Sequence, residues 1–386
     1  MKEFPRTNTN FWKLRLAIHR LGVIVMNRLQ YLLTFSLAAI LVVQKASGQS
    51  SHTPMFPGAK PASYEGIEIR RIKPPGLRLF RKTNVEVLEY LEDASYQSIK
   101  APSLEAVSER FQYFNRDQGY RDLLLHRYEM ADQLRKLSGD RLTISKYLRS
   151  DGKELDYLLI LPEKYDKSQS YPLVLCLHGS GGWRTDLHTL AALPGHALLS
   201  QSEKNPCIIL VPQADENEMW GYASSHRKGR KQPEWRSGWS SIGDEVVGLI
   251  KDIGERHAVD DKRIYVVGGS MGGQGTMGMV TEHPGIFAGA VASVAIPLGV
   301  DAPKLDCPLW LFTAEFEGLV EDTSSVNYLP QKLTHNFEFY KRARTEGKNV
   351  RLTMFCSHGH HVGCLVFYYP GIWDWLFALE RGGIAD

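Results

Sequence analysis

The stretch IYVVGGSMGG, residues 264–273, joins a β-branched run to a serine that lies among glycines. A short apolar run bounded by glycine indicates a buried strand, and a helix can begin near Met271. Gly268, Ser270 and Gly272 form a G-x-S-x-G motif at this strand-to-helix turn. Such a turn strains the serine backbone and needs small neighbours, because backbone segments approach closely there. The alternative is a purely structural glycine turn, but this context favours a nucleophile at Ser270.

Short apolar runs recur along the rest of the chain and alternate with helical stretches. They are LVLCL at 173, CIILV at 207, AGAVASVA at 288, LWLF at 309 and VRLTMF at 350. This alternation predicts an α/β fold with a mostly parallel central sheet flanked by helices. Ahead of these runs, two alternating segments around Asp151-Gly152 predict a β-hairpin.

A second glycine-rich segment, His178-Gly179-Ser180-Gly181-Gly182, follows the predicted strand LVLCL. Such a loop can point backbone N–H groups inward. Acyl transfer builds negative charge on a carbonyl oxygen, and fixed amide donors stabilise that charge. We expect these donors to be the backbone amides of Met271 and Ser180. The alternative is a turn that only ends the strand. We interpret His178 as structural rather than as a base.

A nucleophilic serine needs a base and an acid that orients the base, and two downstream loops offer both. The run LWLF leads into TAEFEGLV, which contains Glu315 and Glu317. The run VRLTMF leads into CSHGHHVG, which contains His358, His360 and His361. Both loops follow strands at their carboxyl ends, where functional groups of an α/β sheet collect. The order serine, acid, histidine is that expected of an α/β hydrolase.

From Leu142 to the C-terminus, the chain resembles α/β-hydrolases, especially secreted esterases of the polyhydroxybutyrate depolymerase, feruloyl esterase and phospholipase/carboxylesterase type. The similar segments are HGSGG, VDDKRIYVVGGSMGG, the strand before Glu317, and a histidine followed by IWDWLF. The resemblance implies a serine esterase that forms an acyl-enzyme through Ser270. It does not specify the substrate, because this fold carries many chemistries.

The resemblance also implies which acid and which histidine complete the triad. In the similar esterases the histidine follows a glycine and precedes an Asp-Trp-Leu helix by a fairly constant interval. Gly359-His360 and Asp374-Trp375-Leu376 match that arrangement, which implies His360 rather than its two neighbours. Glu317 stands where the relatives usually carry Asp, and it is preferred to Glu315. This departure is acceptable because the fold uses either acid.

Three other functions compete with the esterase hypothesis. A serine peptidase of the prolyl-oligopeptidase kind would generally carry a propeller domain ahead of the hydrolase, and the segment here is short. A non-catalytic binding module on the same fold would commonly lack the nucleophile. A metal hydrolase is least favoured, because the cluster SHGHH has no paired carboxylate motif. We therefore expect no metal and no cofactor, and a small-molecule or polysaccharide-linked ester as substrate.

The start of the chain resembles a targeting segment. Met26-Asn27-Arg28 precedes a 12-residue apolar run, Leu32–Val43, and small residues follow at 46–48. This is the anatomy of a signal peptide, whereas a membrane span needs about 20 apolar residues. We expect residues 1–48 to be a signal region with its true start at Met26, and the protein to be secreted or periplasmic. A membrane anchor is the weaker alternative.

The remaining chain divides into three predicted parts. Residues 49–80 are rich in Pro, Gly and Ser and predict a linker or extended arm, and residues 141–386 are the predicted catalytic domain. Residues 81–140 predict a helical segment. Its apolar stripe consists of Tyr120, Leu124, Tyr128, Ala131 and Leu134.

Charge and cysteine content limit the partners. The first 48 residues carry seven Lys or Arg and one acid, so their removal changes the formal net charge from +3 to −3. A nearly neutral body argues against a nucleic-acid partner, and we interpret the basic run HRKGRK at 226–231 as a solvated loop. Five cysteines are an odd number for a disulfide framework, so we expect at most two bridges.

Overall fold

Short apolar runs form the central strands, and the segments between them form the helices. The computed structural model describes residues 67–72, 85–90, 116–183, 185–221, 240–297, 300–317, 331–356 and 358–382. The strands are β1 (Ile67–Ile72), β2 (Val85–Tyr90), β3 (Leu142–Leu148), β4 (Glu154–Ile160), β5 (Tyr171–Leu177), β6 (Ile208–Pro212), β7 (Glu218–Met219), β8 (Ser240–Ser241), β9 (Val259–Gly269), β10 (Gly289–Ser293), β11 (Leu309–Ala314) and β12 (Val350–Phe355). The helices are α1 (Arg116–Ser138), α2 (Leu187–Leu199), α3 (Gly243–Arg256), α4 (Met271–Glu282), α5 (Gln331–Thr345) and α6 (Ile372–Phe377).

A mostly parallel central sheet confirms the predicted fold class. Its strand order is β1-β2-β12-β11-β10-β9-β5-β6-β4-β3. The six strands from β12 to β6 in this order are parallel to one another, and β4, β3, β2 and β1 pair antiparallel at the two sides. The carboxyl ends of the parallel strands therefore meet at one edge, where the loops with the predicted functional residues begin.

Helices cover both faces of the sheet, so the central strands are buried on both sides. Every residue of β5 is buried, and its side chains alternate between two cores. Leu173 and Leu175 pack in one core with α3, α4 and α5. Val174 and Cys176 pack in the other core with α1, α2 and α6. Continuous apolar runs in these strands are the sequence signature of such double burial.

The predicted hairpin is present. β3 pairs antiparallel with β4, and Leu148 lies opposite Glu154 at the closed end. Gly152 in the turn has φ of +80°, a value that residues with a side chain rarely adopt. The Asp-Gly pair therefore sets this turn and places β3 at the edge of the sheet.

Four strands occur where we predicted none: the two-residue strands β7 and β8, which pair with each other, and the longer strands β1 and β2. β1 lies within the predicted linker 49–80, and β2 lies within the predicted helical segment 81–140. β2 pairs with β12, and β1 pairs with β2. The helical prediction is therefore wrong for Val85–Tyr90. Apolar and charged residues alternate in much of IEIRRI and VEVLEY, a two-residue period that favours strands.

Helix α1 packs against one core of the sheet, but its buried face differs from the predicted stripe. Ala131 and Leu134 are buried as predicted, together with Met130, whereas Tyr128 is 67% exposed. The buried positions recur around Ala131 at helical spacing, and Tyr128 lies outside that face. A methyl group added to Gly195 of α2 would lie 3.0 Å from Leu134, which shows how closely α1 approaches α2.

Several predictions lie outside the described residues. They are the signal region 1–48, most of the linker and the basic run 226–231. In the part of the chain that the structure describes, no helix is both long and apolar enough to cross a bilayer. Among the residues that the structure describes, four cysteine side chains are buried: Cys176, Cys207, Cys307 and Cys356.

Candidate active site

Ser270 occupies the turn between β9 and α4. β9 ends at Gly269, and α4 begins at Met271. Ser270 has φ of +60° and ψ of −119°, a conformation that is strained for a residue with a side chain. Its backbone N–H donates to Ser293 O at the end of β10 at 2.9 Å, which holds the turn in place. The serine backbone therefore has the strained geometry that the motif predicts.

The glycines around Ser270 are required by close backbone contacts. A Cβ atom on Gly268 would collide with the carbonyl oxygen of Gly272. A Cβ atom on Gly272 would collide in turn with the carbonyl oxygen of Leu177 at the end of β5. Backbone oxygens cannot move aside as a flexible side chain can. The glycines therefore let α4 start directly against the neighbouring strand.

A chain of hydrogen bonds joins Ser270, His360 and Glu317. The distance from Ser270 Oγ to His360 Nε2 is 2.9 Å, and that from His360 Nδ1 to Glu317 Oε1 is 2.7 Å. A carboxylate can only accept, so Nδ1–H donates to Glu317 and Nε2 accepts from the serine hydroxyl. The Glu317 side chain is fully buried, whereas 32% of the His360 side chain is exposed. The three predicted side chains are therefore connected in space in the order serine, histidine, carboxylate, which is the order that acyl transfer uses.

Backbone hydrogen bonds join the acid loop to the histidine loop. The N–H of Phe316 donates to His358 O at 2.8 Å, and the N–H of Glu315 donates to Phe355 O at 3.0 Å. These bonds fix the loop after β11 against the loop after β12. The carboxylate that reaches His360 consequently belongs to Glu317.

The two other histidines of the cluster are buried in the loop. His358 Nδ1 lies 2.6 Å from Cys356 O, so the ring donates to its own loop. Burial lowers the pKa of His358, and it lowers the pKa of His361 to about 3, helped by the neighbouring histidines. Both rings are therefore neutral near pH 7. The ring that hydrogen-bonds to both Ser270 and Glu317 is that of His360.

The predicted oxyanion loop lies beside Ser270. A Cβ atom on Gly179 would lie 3.3 Å from the Cβ of Ser270, so the loop backbone runs directly against the nucleophile. Ser180 begins the short 3-10 turn Ser180–Gly182, and Met271 is the first residue of α4. The first N–H groups of a helix have no partner within it. The positions of Met271 and Ser180 thus fit the predicted amide donors.

His178 has the structural surroundings that we predicted for it. Its Nδ1–H donates to Gly179 O at 2.8 Å, and its Nε2 accepts from the N–H of Ala214 at 3.1 Å. Burial lowers its pKa to about 4, with a smaller contribution from the cation of Arg127. The ring is therefore neutral near pH 7. It connects the oxyanion loop to the segment after β6.

A cavity of about 320 Å³ opens beside the serine. This volume lies at the small end of the ~300–1,000 Å³ range of ligand sites. Ser180, Ser270 and His360 line it, and the sequence analysis had identified them. Its remaining walls include side chains that the sequence analysis did not single out: Arg127, Leu190, Leu193, Pro194, Val294 and Phe367. One feature of the sequence could have pointed to Arg127: it precedes the apolar residues Met130 and Ala131 by three and four positions and so shares their helix face.

Among the described residues, no three His, Cys, Asp or Glu side chains come together as metal ligands. The residues that line the cavity include Ser270, His360 and Arg127.

Comparison with known proteins supports the fold and the broad class. Residues 150–332 match the Esterase family model. A thermostable esterase of known structure is 25% identical, with a TM-score of 0.51 over 64% of each chain. The alignment thus spans less than two thirds of that esterase.

Two further structures resemble the chain more weakly. A ferulic acid esterase is 17% identical, with a TM-score of 0.45 over 61% of this chain and 98% of its own. Dipeptidyl peptidase 4 from Porphyromonas gingivalis is 14% identical, with a TM-score of 0.46 over 77% of this chain and 40% of its own. No curated protein matches the chain significantly. With its sheet order, the chain has the α/β-hydrolase fold, and residues 150–332 are similar to the Esterase family model.

Proposed function

We propose that this protein is a serine esterase that cleaves carboxylic esters through Ser270, His360 and Glu317. The observation that carries the proposal is the hydrogen-bonded chain from Ser270 Oγ through His360 to the buried Glu317, at the wall of a cavity. A hydroxyl is a weak nucleophile until a base accepts its proton, and His360 Nε2 lies where it can do so.

In the first step, Ser270 Oγ forms a bond to the ester carbonyl carbon while its proton passes to His360 Nε2. The carbonyl oxygen becomes an oxyanion, which the amides of Met271 and Ser180 stabilise. The imidazolium is stabilised by the carboxylate of Glu317. The bond to the alcohol then breaks, and the alcohol leaves with the proton from His360. An acyl group remains on Ser270.

In the second step, a water molecule takes the place of the alcohol. His360 accepts a proton from the water as its oxygen bonds to the acyl carbon. The bond to Ser270 Oγ breaks, and His360 returns the proton to that oxygen. The carboxylic acid leaves, and the enzyme regains its starting state.

Labelling with a fluorophosphonate probe, followed by assays with short 4-nitrophenyl esters, tests the proposal. Ser270→Ala should lose the label and reduce kcat by about 10⁴-fold or more, because the nucleophile is gone. Ser180→Ala is the matched control, because only its backbone N–H is assigned a role and its side chain is exposed. Undiminished ester hydrolysis by Ser270→Ala would refute the proposal. So would a loss of labelling in Ser180→Ala with Ser270 intact.

We also propose that the protein is exported. The apolar run Leu32–Val43 after Met26-Asn27-Arg28 supports this proposal. Mass spectrometry of the mature protein should place its N-terminus close to Gln49. An N-terminus that retains residues 27–45 would support an anchored form instead.

A further inference from the structure

Arg127 lies on the buried face of α1. Met130, Ala131 and Leu134 follow it at spacings of three, four and seven residues and are all buried. Residues at these spacings share one face of a helix. Met130 Sδ contacts the hydroxyl of Tyr368 at 3.3 Å, which fixes this turn of α1 against the core. The side chain of Arg127 is therefore held on the protein side of the helix.

Arg127 forms part of the wall of the candidate active site. Arg127 lines the same 320 Å³ cavity as Ser270 and His360, and it is only partly exposed. Its Nε atom is buried, and among the described residues it has no hydrogen-bond partner. No Asp or Glu is among the described residues that line this cavity.

A buried donor without a partner is costly, and a buried cation is more so. The cost falls when an anion enters the cavity and pairs with the guanidinium. Arginine is suited to this because its planar fork binds both oxygens of a carboxylate. Among the described residues that line it, the cavity thus has the hydroxyl of Ser270 and the cation of Arg127 and no carboxylate.

We propose that Arg127 binds a carboxylate of the substrate, so that the preferred substrates are esters that carry a negative charge. This inference rests on the proposed function, because it assigns the substrate class of the same site. The bound carboxylate would hold the ester carbonyl near Ser270. Arg127 is then a specificity-determining residue, supplied by a helix that precedes the hydrolase sheet in the sequence.

Two matched substrate pairs test the proposal. In the first pair, mono-4-nitrophenyl adipate carries a carboxylate at the end of the acyl chain, and 4-nitrophenyl hexanoate does not. In the second pair, 4-acetoxybenzoate carries a carboxylate on the alcohol side, and phenyl acetate does not. The wild-type protein should prefer the anionic member of at least one pair in kcat/KM. Equal or lower kcat/KM for both anionic substrates would overturn the proposal.

Variants of Arg127 separate recognition from packing. Arg127→Gln should lower kcat/KM for the preferred anionic ester by about 10- to 100-fold, the worth of a charged hydrogen bond. It should leave the neutral ester within about two-fold. Arg127→Lys should recover part of the preference, because it restores the charge without the fork. Equal losses on both members of a pair would indicate a structural or oxyanion role and would overturn the proposal.

Arg135→Gln is the matched control on the same helix. Arg135 is half exposed and forms a surface ion pair with Asp186 at 3.4 Å, outside the cavity. Such exposed pairs contribute little to stability. The control should therefore keep the wild-type preference for the anionic ester. Loss of the preference in Arg135→Gln would assign it to the overall charge of α1 and overturn the proposal.

Binding measured without turnover distinguishes this proposal from the proposed function. In the Ser270→Ala background, calorimetry with mono-4-nitrophenyl adipate and with 4-acetoxybenzoate should show, for at least one of them, binding that weakens by at least 10-fold on addition of Arg127→Gln. That result would support the anion site even if no ester were hydrolysed by the wild type. Unchanged binding in the double variant would overturn the anion site, whether or not Ser270 is the nucleophile.

Discussion

Two loops of this chain place a histidine beyond the end of a parallel strand, and the two rings have opposite surroundings. His178 follows β5, is buried, and has a backbone group at each ring nitrogen. His360 follows β12, is one-third exposed, and has a carboxylate at one nitrogen and a hydroxyl at the other. The comparison shows that the partners and the solvent around a ring, rather than its position at a strand end, distinguish a base from a structural histidine.

The largest expected effect concerns the ring itself. His360→Ala should reduce kcat for a short ester by about 10⁴-fold or more with little change in melting temperature, because the ring is partly exposed. His361→Ala is the control, since His361 lies next in the chain and does not bridge Ser270 and Glu317. Steady-state kinetics and thermal unfolding check both variants. Full activity in His360→Ala would show that His360 is not the base, and the contrast between His360 and the structural His178 would no longer hold.

The next largest effect on kcat is expected for Glu317, the acid partner of His360. Glu317→Gln keeps the shape of the side chain but removes the charge that stabilises the imidazolium, so kcat should fall by about 10³- to 10⁴-fold. Glu315→Gln is the matched control from the same loop. Its kcat should stay within about 10-fold of the wild type. If Glu315→Gln is the inactive variant, the acid assignment is wrong.

The loop of His178 should act on catalysis through its backbone. Gly179→Val would press a side chain against Ser270 and displace the adjacent amides, so kcat should fall by about 100-fold, the typical cost of one oxyanion donor. Gly181→Val is the control, because no atom lies within 4 Å of a Cβ placed there. Kinetics and melting temperature are measured together for both. A parallel fall in stability and rate for Gly179→Val would make the loop structural only.

The last effect is on stability rather than on rate, and it is a pH dependence that arises from His178. Its pKa is about 4 in the folded protein and about 6.5 when unfolded, so the unfolded chain binds the proton first as pH falls. The contribution of His178 to stability is therefore complete above pH ~6.5 and falls by about 3 kcal/mol as pH falls to ~4. Urea unfolding of the wild type and His178→Asn should show a stability gap that narrows between pH 7 and 4. If the difference in unfolding free energy between the two proteins did not change with pH, His178 would not be a buried ring that is neutral in the folded protein.

The sequence predicted the central sheet well, because doubly buried strands must be continuous apolar runs and leave little ambiguity. The glycines around Ser270 were equally informative, since each excluded Cβ reflects a local backbone contact. The residues predicted as a triad lie in hydrogen-bond contact, and their catalytic roles stay predictions. These residues could be predicted because each follows the end of a predicted strand, in the order strand, loop and functional group.

Other features depend on contacts between distant segments and were missed for that reason. β2 became a strand by pairing with β12, more than 250 residues later. The sequence does not show which glycines of the His178 loop are crowded, because Gly179 approaches Ser270 and Gly182 approaches Leu190, both outside the loop. In the sequence, Arg127 resembles any surface charge. Its position at the cavity depends on how α1 packs in the folded protein.

The candidate site is distributed over three strands of the sheet. Ser270 follows β9, Glu317 follows β11 and His360 follows β12, and these strands come together only when the parallel sheet has assembled. No local segment of the chain contains a working pair of these groups, so a molecule in which these strands have not paired should be inactive. Catalysis would then report on cooperative folding. In a refolding experiment, the regain of ester hydrolysis would mark completion of long-range strand pairing rather than the earlier recovery of helical signal.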